Sequence, residues 1–244
     1  MSTNNRLFFS HGDKGGVGKS MLSALLVDHL LQIDREVAVI EGDKGADIAE
    51  RFAGLIKVEA ENLNRSGASN EAVIGFIDKL SKLSDDGVQD VVINLPGQAS
   101  DTLDKFADLL ASTMEMAGQE LVVFYSLGTL DMHVANLIQS MQSGLMSVVP
   151  VNRQIVVMSE ALGDVEKFAW TRSEARKKYL KAGGEEGFIP LLLPSFLDTR
   201  ISEMPGNYSA FLGKDSPLSL TDRGLLFRWL KAAHTVVGKG VGHE

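Results

Sequence analysis

Asp13-Lys14-Gly15-Gly16-Val17-Gly18-Lys19-Ser20 stands between the apolar run Leu7-Phe8-Phe9 and the helical pattern Met21-Leu22-Ser23-Ala24-Leu25-Leu26. Strand, glycine-rich turn and helix form the context that makes this spacing a phosphate-binding loop. Gly15, Gly16 and Gly18 allow backbone conformations closed to residues with a Cβ, so consecutive N–H groups can turn inward on an anion. The positive end of a helix beginning near Lys19 adds to that field. Lys19 can then reach β and γ phosphates as a mobile point charge. Ser20 can offer its hydroxyl to Mg²⁺, and Met21 is counted with the nucleotide-binding residues.

The general phosphate-loop pattern asks for glycine where this chain has Asp13, and it does not ask for the lysine at Lys14. The string Lys14-Gly15-Gly16-Val17-Gly18-Lys19-Ser20 resembles the deviant Walker A loop of the ParA/MinD family of P-loop ATPases. That resemblance implies ATP or ADP with Mg²⁺ as cofactors and a homodimer formed on ATP binding. It makes Lys14 the lysine that reaches across the dimer to the partner's nucleotide, and Lys19 the ordinary phosphate-loop lysine.

Two acidic motifs of that family are altered here. The family carries Asp-x-Asp at the end of its second strand, where this chain reads Glu41-Gly42-Asp43. Asp43 is therefore expected to serve Mg²⁺ through water or to orient the attacking water, with helix capping as its bland alternative. Val91-Val92-Ile93-Asn94-Leu95-Pro96 resembles the Walker B strand, but asparagine replaces the final aspartate. Asn94 keeps a carbonyl acceptor and lacks the charge, so hydrolysis is expected to be slow. An alternative makes Asn94 a turn residue, with Mg²⁺ held by Ser20 and Asp43 alone. By the same resemblance, Ser159 and the Pro194-Ser195 pair stand where relatives contact the adenine base, and ordinary loop roles compete with both.

Strand patterns alternate with helical ones along 244 residues, which implies an α/β fold. The expectation is a single P-loop domain over residues 1–244, with a mostly parallel central sheet and helices on both faces. Strands are expected at Leu7–Phe9, Glu36–Glu41, Val88–Asn94, Glu120–Tyr125, Gln154–Met158 and Phe188–Leu193. Helices are expected near Lys19–Gln32, Ala46–Phe52, Asn70–Leu83, Asp101–Met116, Leu130–Met146, Glu166–Lys181 and Leu218–Val237.

The chain has no cysteine, which excludes disulfides and thiolate chemistry and suits a cytoplasmic setting. Its polar start does not read as a signal peptide, and no run is long enough to span a bilayer. The five histidines show no metal-ligand spacing, and His11 reads as structural. Net charge is −8, so any nucleic-acid contact must come from a localised basic face. As one helix, Glu166–Lys181 would place Lys167, Lys177, Lys178 and Lys181 on one stripe with Trp170 at its edge. Phe168, Ala175 and Tyr179 would face the sheet. The stripe is a candidate for non-specific DNA contact or a solvated face. The resemblance leans towards DNA and adds a protein cargo or activator as partner. The segment Gly238–Glu244 is too short and glycine-rich for the membrane-targeting helix of MinD proteins.

These readings combine into a Mg-ATP-dependent dimerising ATPase that positions DNA-linked cargo in plasmid partition, maintenance or conjugative transfer. The competing readings are an ATP-sensing scaffold with negligible turnover, a MinD-like membrane-associated ATPase, and a small-molecule kinase or synthetase on the same loop.

Overall fold

The computed structural model describes residues 5–12, 16–42, 47–61, 70–94, 96 and 99–242. Its strands are β1 (Asn5–Gly12), β2 (Val37–Glu41), β3 (Lys57–Ala60), β4 (Asp90–Asn94), β5 (Gln119–Ser126), β6 (Gln154–Ser159) and β7 (Glu185–Ile189). They form one sheet in the order β3-β2-β4-β1-β5-β6-β7, and every pairing among the described residues is parallel. The helices are α1 (Lys19–Gln32), α2 (Asp47–Arg51), α3 (Asn70–Asp85), α4 (Ala99–Lys105), α5 (Ala107–Met116), α6 (Asp131–Ser143), α7 (Glu174–Lys181), α8 (Ser195–Ser202) and α9 (Leu220–Val241).

Side-chain alternation divides the core into two layers. Leu7, Phe9, Val91, Ile93, Leu121 and Val123 point to one face, where α3, α5 and α6 cover them. Phe8, Val92, Val122 and Phe124 point to the other, beneath α1, α8 and α9. Continuous apolar strands are therefore required, because both faces are buried.

The central strands are tied at their amino ends by a buried charge cluster. Asp90 is fully buried and accepts from Arg35 Nε at 2.7 Å and from Arg6 Nε at 3.1 Å. Arg6 also donates to the carbonyl of Val241, so the cluster grips the last residue of α9.

Several sequence expectations need correction. The segment 166–181 is not one helix. It contains 3₁₀ turns at Val165–Lys167 and Ala169–Arg172, then α7. Ser173 Oγ accepts from the N–H of Arg176 at 3.1 Å and so starts α7 afresh. Trp170 does not edge a surface stripe. It is fully buried and donates Nε1–H to Glu186. The last strand lies upstream of its expected place, since Glu185–Gly187 join it and Pro190 follows it.

The chain also adds β3, and α9 runs through the supposed tail to Val241. A Cβ on Gly240 would lie 2.5 Å from Phe124 and 2.8 Å from Ile155, so the glycine lets α9 press onto β5 and β6. No helix among the described residues is long and apolar enough to cross a membrane.

Candidate functional site

β1 and β4 are neighbours, and the helices that follow them lie on opposite faces of the sheet. That divergence opens a crevice at the carboxyl ends of both strands, the place where open parallel sheets bind ligands. The glycine-rich loop begins there. Of its residues, Asp13, Lys14 and Gly15 lie outside the described part, as does Asp43 after β2.

The described half of the loop has the backbone that the sequence implied. Gly18 is the N-cap of α1 with φ 94° and ψ 15°, a left-handed conformation costly for any residue with a Cβ. It provides no side-chain cap, and α1 has no acidic residue in its first turn. The first N–H groups of the helix are therefore not offered a side-chain acceptor from the cap, which suits an external anion. Lys19 opens the helix and is buried, while Ser10 Oγ donates to its carbonyl at 3.0 Å and fixes the loop against β1.

Beside the loop lies a row of polar side chains across three strands. Register pairs Ser10 of β1 with Asn94 of β4, and Asn94 with Glu41 of β2. Ser10, Asn94 and Glu41 are all buried. Asn94 Nδ2 donates to Glu41 Oε1 at 2.9 Å and lies 3.5 Å from Ser20 Oγ. Asn94 Oδ1 accepts from Ser23 Oγ at 3.2 Å, and the N–H of Ile48 donates to Glu41 Oε2 at 3.2 Å. The amide of Asn94 is thus the hub joining the loop helix to the second strand. It is not a turn residue, because it ends β4 within the sheet.

On the opposite layer, His11 is buried against the edge of Tyr125, with Nε2 at 3.3 Å from Asp104 Oδ1. Burial would raise the Asp104 carboxyl. The hydrogen bonds from His11, Leu145 N–H and Ser140 outweigh it and hold that carboxyl below its ordinary value. This clamp secures α4, the helix that follows the Asn94 strand, to β1 and α6.

A cavity of about 700 Å³ opens beside the start of α1, bordered by Ser20, Met21, Ile48, Asp198, Ser202 and Tyr208. Its far wall is held by Arg51, whose guanidinium donates to the carbonyls of Gly206, Ile201 and Ser202 and lies over the Tyr208 ring. Burial raises the Asp198 carboxyl above its ordinary value. Pro194 and Ser195 begin the same α8 that lines this cavity. Ser159 ends β6, two strands from β1, where its hydroxyl accepts from Ala161 N–H and caps a 3₁₀ turn. The cavity wall after α8 had no motif in the sequence. Glu41 was read as the acid in the first place of the Asp-x-Asp motif, and its bond to Asn94 had no signal in the sequence.

The basic residues are placed apart from the crevice. α7 packs on the layer opposite α1, where Lys177, Lys178 and Lys181 are exposed. Lys167 belongs to a separate 3₁₀ turn and pairs with Asp164 at 3.8 Å, while Lys177 pairs with Glu174 at 2.6 Å. Among the described residues no cluster of three or more His, Asp or Glu side chains could hold a metal ion on its own.

No family model matches the chain. The protein MobD of Acidithiobacillus ferrooxidans is 24% identical over 240 residues, covering 98% of each chain. Among solved structures, the chain is similar to a nucleotide-binding protein of Archaeoglobus fulgidus in complex with ADP, at 15% identity and a TM-score of 0.46. That likeness covers 88% of this chain and 93% of that one. FtsY of Mycoplasma mycoides is also similar at 15% identity and a TM-score of 0.42, over 63% of this chain and about half (52%) of FtsY.

Proposed function

We propose that the protein is a Mg-ATP-dependent, dimerising ATPase that positions or segregates DNA-linked cargo in plasmid partition, maintenance or conjugative transfer. The observation that carries this reading is the left-handed Gly18 ahead of an α1 with no side-chain cap, with Lys19 buried at its first position. Full-length similarity to MobD inclines the reading towards plasmid mobilisation.

In this reading the backbone N–H groups around Gly16 to Ser20 take the triphosphate, and Lys19 neutralises its β and γ groups. The Ser20 hydroxyl would, in this reading, be the ligand for Mg²⁺, and Asp43 would act on it through water. Bound Mg²⁺ neutralises phosphate charge and fixes the nucleotide's orientation. Lys14 completes the site of a second copy, so ATP acts as the link between subunits. Ordering of the segment after Asp43 by the γ-phosphate, and its release on hydrolysis, is the switch. Lys177, Lys178 and Lys181 of α7, and Lys167 of a separate 3₁₀ turn, are the proposed DNA contacts, doubled in a dimer.

A scaffold with negligible turnover is the second reading, and Asn94 favours it: the end of β4 carries no carboxylate. Phosphate release, with and without DNA, separates the two, since turnover above background rejects the scaffold. The dimer is tested by Lys14→Ala, which is expected to keep nucleotide binding and lose ATP-induced dimers in size-exclusion chromatography. Intact dimers in that variant refute the role given to Lys14.

A further inference from the structure

A second cavity, of about 800 Å³, lies between the end of α1, the 3₁₀ turn Tyr208–Leu212 and α9. The 14 residues of α1 run about 20 Å from Lys19 to Gln32, so this cavity and the phosphate loop sit at opposite ends of one helix. We infer that the cavity binds a small amphiphilic acid, with an apolar body and one anionic group, and that Lys231 receives the anion.

Size and lining set the class of ligand. The volume falls within the range of small-molecule sites. Leu230 is buried and Leu212 half-buried, while Ile33 and Phe227 border the same cavity and stay exposed. Exposed apolar side chains gathered around one concavity mark a place for a ligand, where scattered ones would mean nothing. His29 makes no hydrogen bond among the described residues, and burial and then His234 keep its ring neutral down to about pH 4. A neutral imidazole offers one donor and one acceptor. Gly238 of α9 leaves that ring uncovered, since a Cβ there would stand 3.5 Å from Nε2.

Charge decides the sign. The described residues that border the cavity include Lys231 and Lys239 and no Asp or Glu. α9 carries Arg223, Arg228, Lys231 and Lys239 and has no acid after Asp222, in a chain of net charge −8. Lys239 is paired with Glu185 at 3.0 Å, whereas the Lys231 ammonium has no partner among the described residues. Asp28 beneath the cavity is fully buried, and Ser209 and His234 already occupy its carboxylate. A cation entering here finds no counter-charge, and an anion finds Lys231. The carboxyl-terminal ends of α1 and α9 also border the cavity and oppose an anion, but that effect fades within the last turn. Lys231 lies well before the end of α9 at Val241.

The test titrates the full chain with the dye anilinonaphthalene sulfonate, an apolar body bearing one anion. Bound dye is then displaced with naphthylacetate or with its uncharged amide. Saturable binding of one dye per chain is expected, with the amide about tenfold weaker than the acid. Lys231→Gln is expected to abolish that preference. Gly238→Leu, which fills the cavity, is expected to weaken both competitors by about tenfold or more. Thermal melts check each fold. If Gly238→Leu does not fold, Phe227→Ser, at an exposed position, takes its place. Equal affinity for acid and amide, a preference that survives Lys231→Gln, or binding indifferent to the filled cavity overturns the proposal. Dye binding that never saturates does the same. Dye displaced by Mg-ATP but unaffected by these variants places the probe on the phosphate loop, and that also overturns it. None of the substituted residues borders the crevice, so failure here leaves nucleotide binding standing.

Discussion

Individual side chains in this protein are set by which layer of the sheet they face. His29 on α1 stacks near His234 of α9, with ring centroids 5.0 Å apart, while His234 Nε2 lies 2.8 Å from the buried Asp28. Ser209 donates to the same carboxylate through both its N–H and its hydroxyl. Burial, and then the neighbouring His234, lower His29 from 6.5 to about 4, against a smaller opposing pull from Asp28 and with a small contribution from Arg6. Below pH 6.5 the unfolded chain takes up a proton on His29 that the folded chain refuses until about pH 4. Stability tied to this residue is complete above the upper value and falls as pH drops towards the lower one. With a discount for partial solvent contact, the loss is about 1 kcal/mol on acidification from about pH 7 to about pH 5. His29→Gln is expected to flatten that part of the profile in urea unfolding. A variant with the wild-type slope contradicts the assignment.

Elements are positioned by a few contacts between residues far apart in sequence. Asp90→Asn leaves the buried Arg35 and the partly buried Arg6 without their carboxylate, and it is expected to cost about 3 kcal/mol in chemical denaturation. A loss within the range of an ordinary surface substitution contradicts the tie proposed for β4, β1 and α9. Two glycines of α9 make a matched pair. Gly240→Val drives a side chain into Phe124 and Ile155 and is expected to destabilise by about 2–3 kcal/mol. Gly224→Ala meets nothing within 4 Å and is expected to stabilise by about 0.5–1 kcal/mol through helix propensity. Equal effects would show that α9 does not press on the sheet as described.

These contacts mark the limit of what the sequence made legible. The loop before α1 could be read because its chemistry is local: eight consecutive residues and their flanks suffice. The core strands could be read because burial on both faces leaves uninterrupted apolar runs. The end of α9 could not, since its glycines signal a tail until the packing partner is known. The helix drawn over 166–181 failed on Ser173, which caps a new helix, and on Trp170, which is buried in the core like the sheet-facing Phe168 and not at the edge of a surface stripe. The Glu41–Asn94 bond was hidden for a different reason. It joins residues 53 apart and exists only because β4 inserts between β2 and β1.

For the whole molecule, an acidic chain with a small basic face implies that any DNA binding is weak per subunit and steeply salt dependent. Replacing Lys177, Lys178 and Lys181 together by alanine is expected to reduce the slope of log affinity against log salt by about 3 per subunit. Fluorescence anisotropy on a random duplex in ATP provides the measurement, and an unchanged slope removes these lysines from the interface. Nucleotide binding comes before both DNA binding and dimerisation in this scheme, and calorimetric titration of wild type and Lys19→Ala with ATP in magnesium buffer probes it without intermediaries. Saturable binding by wild type, weakened about 10–100-fold or more in Lys19→Ala, is the expected result. No saturable binding by wild type, or equal affinity in both proteins, would contradict the phosphate loop on which the proposed function stands.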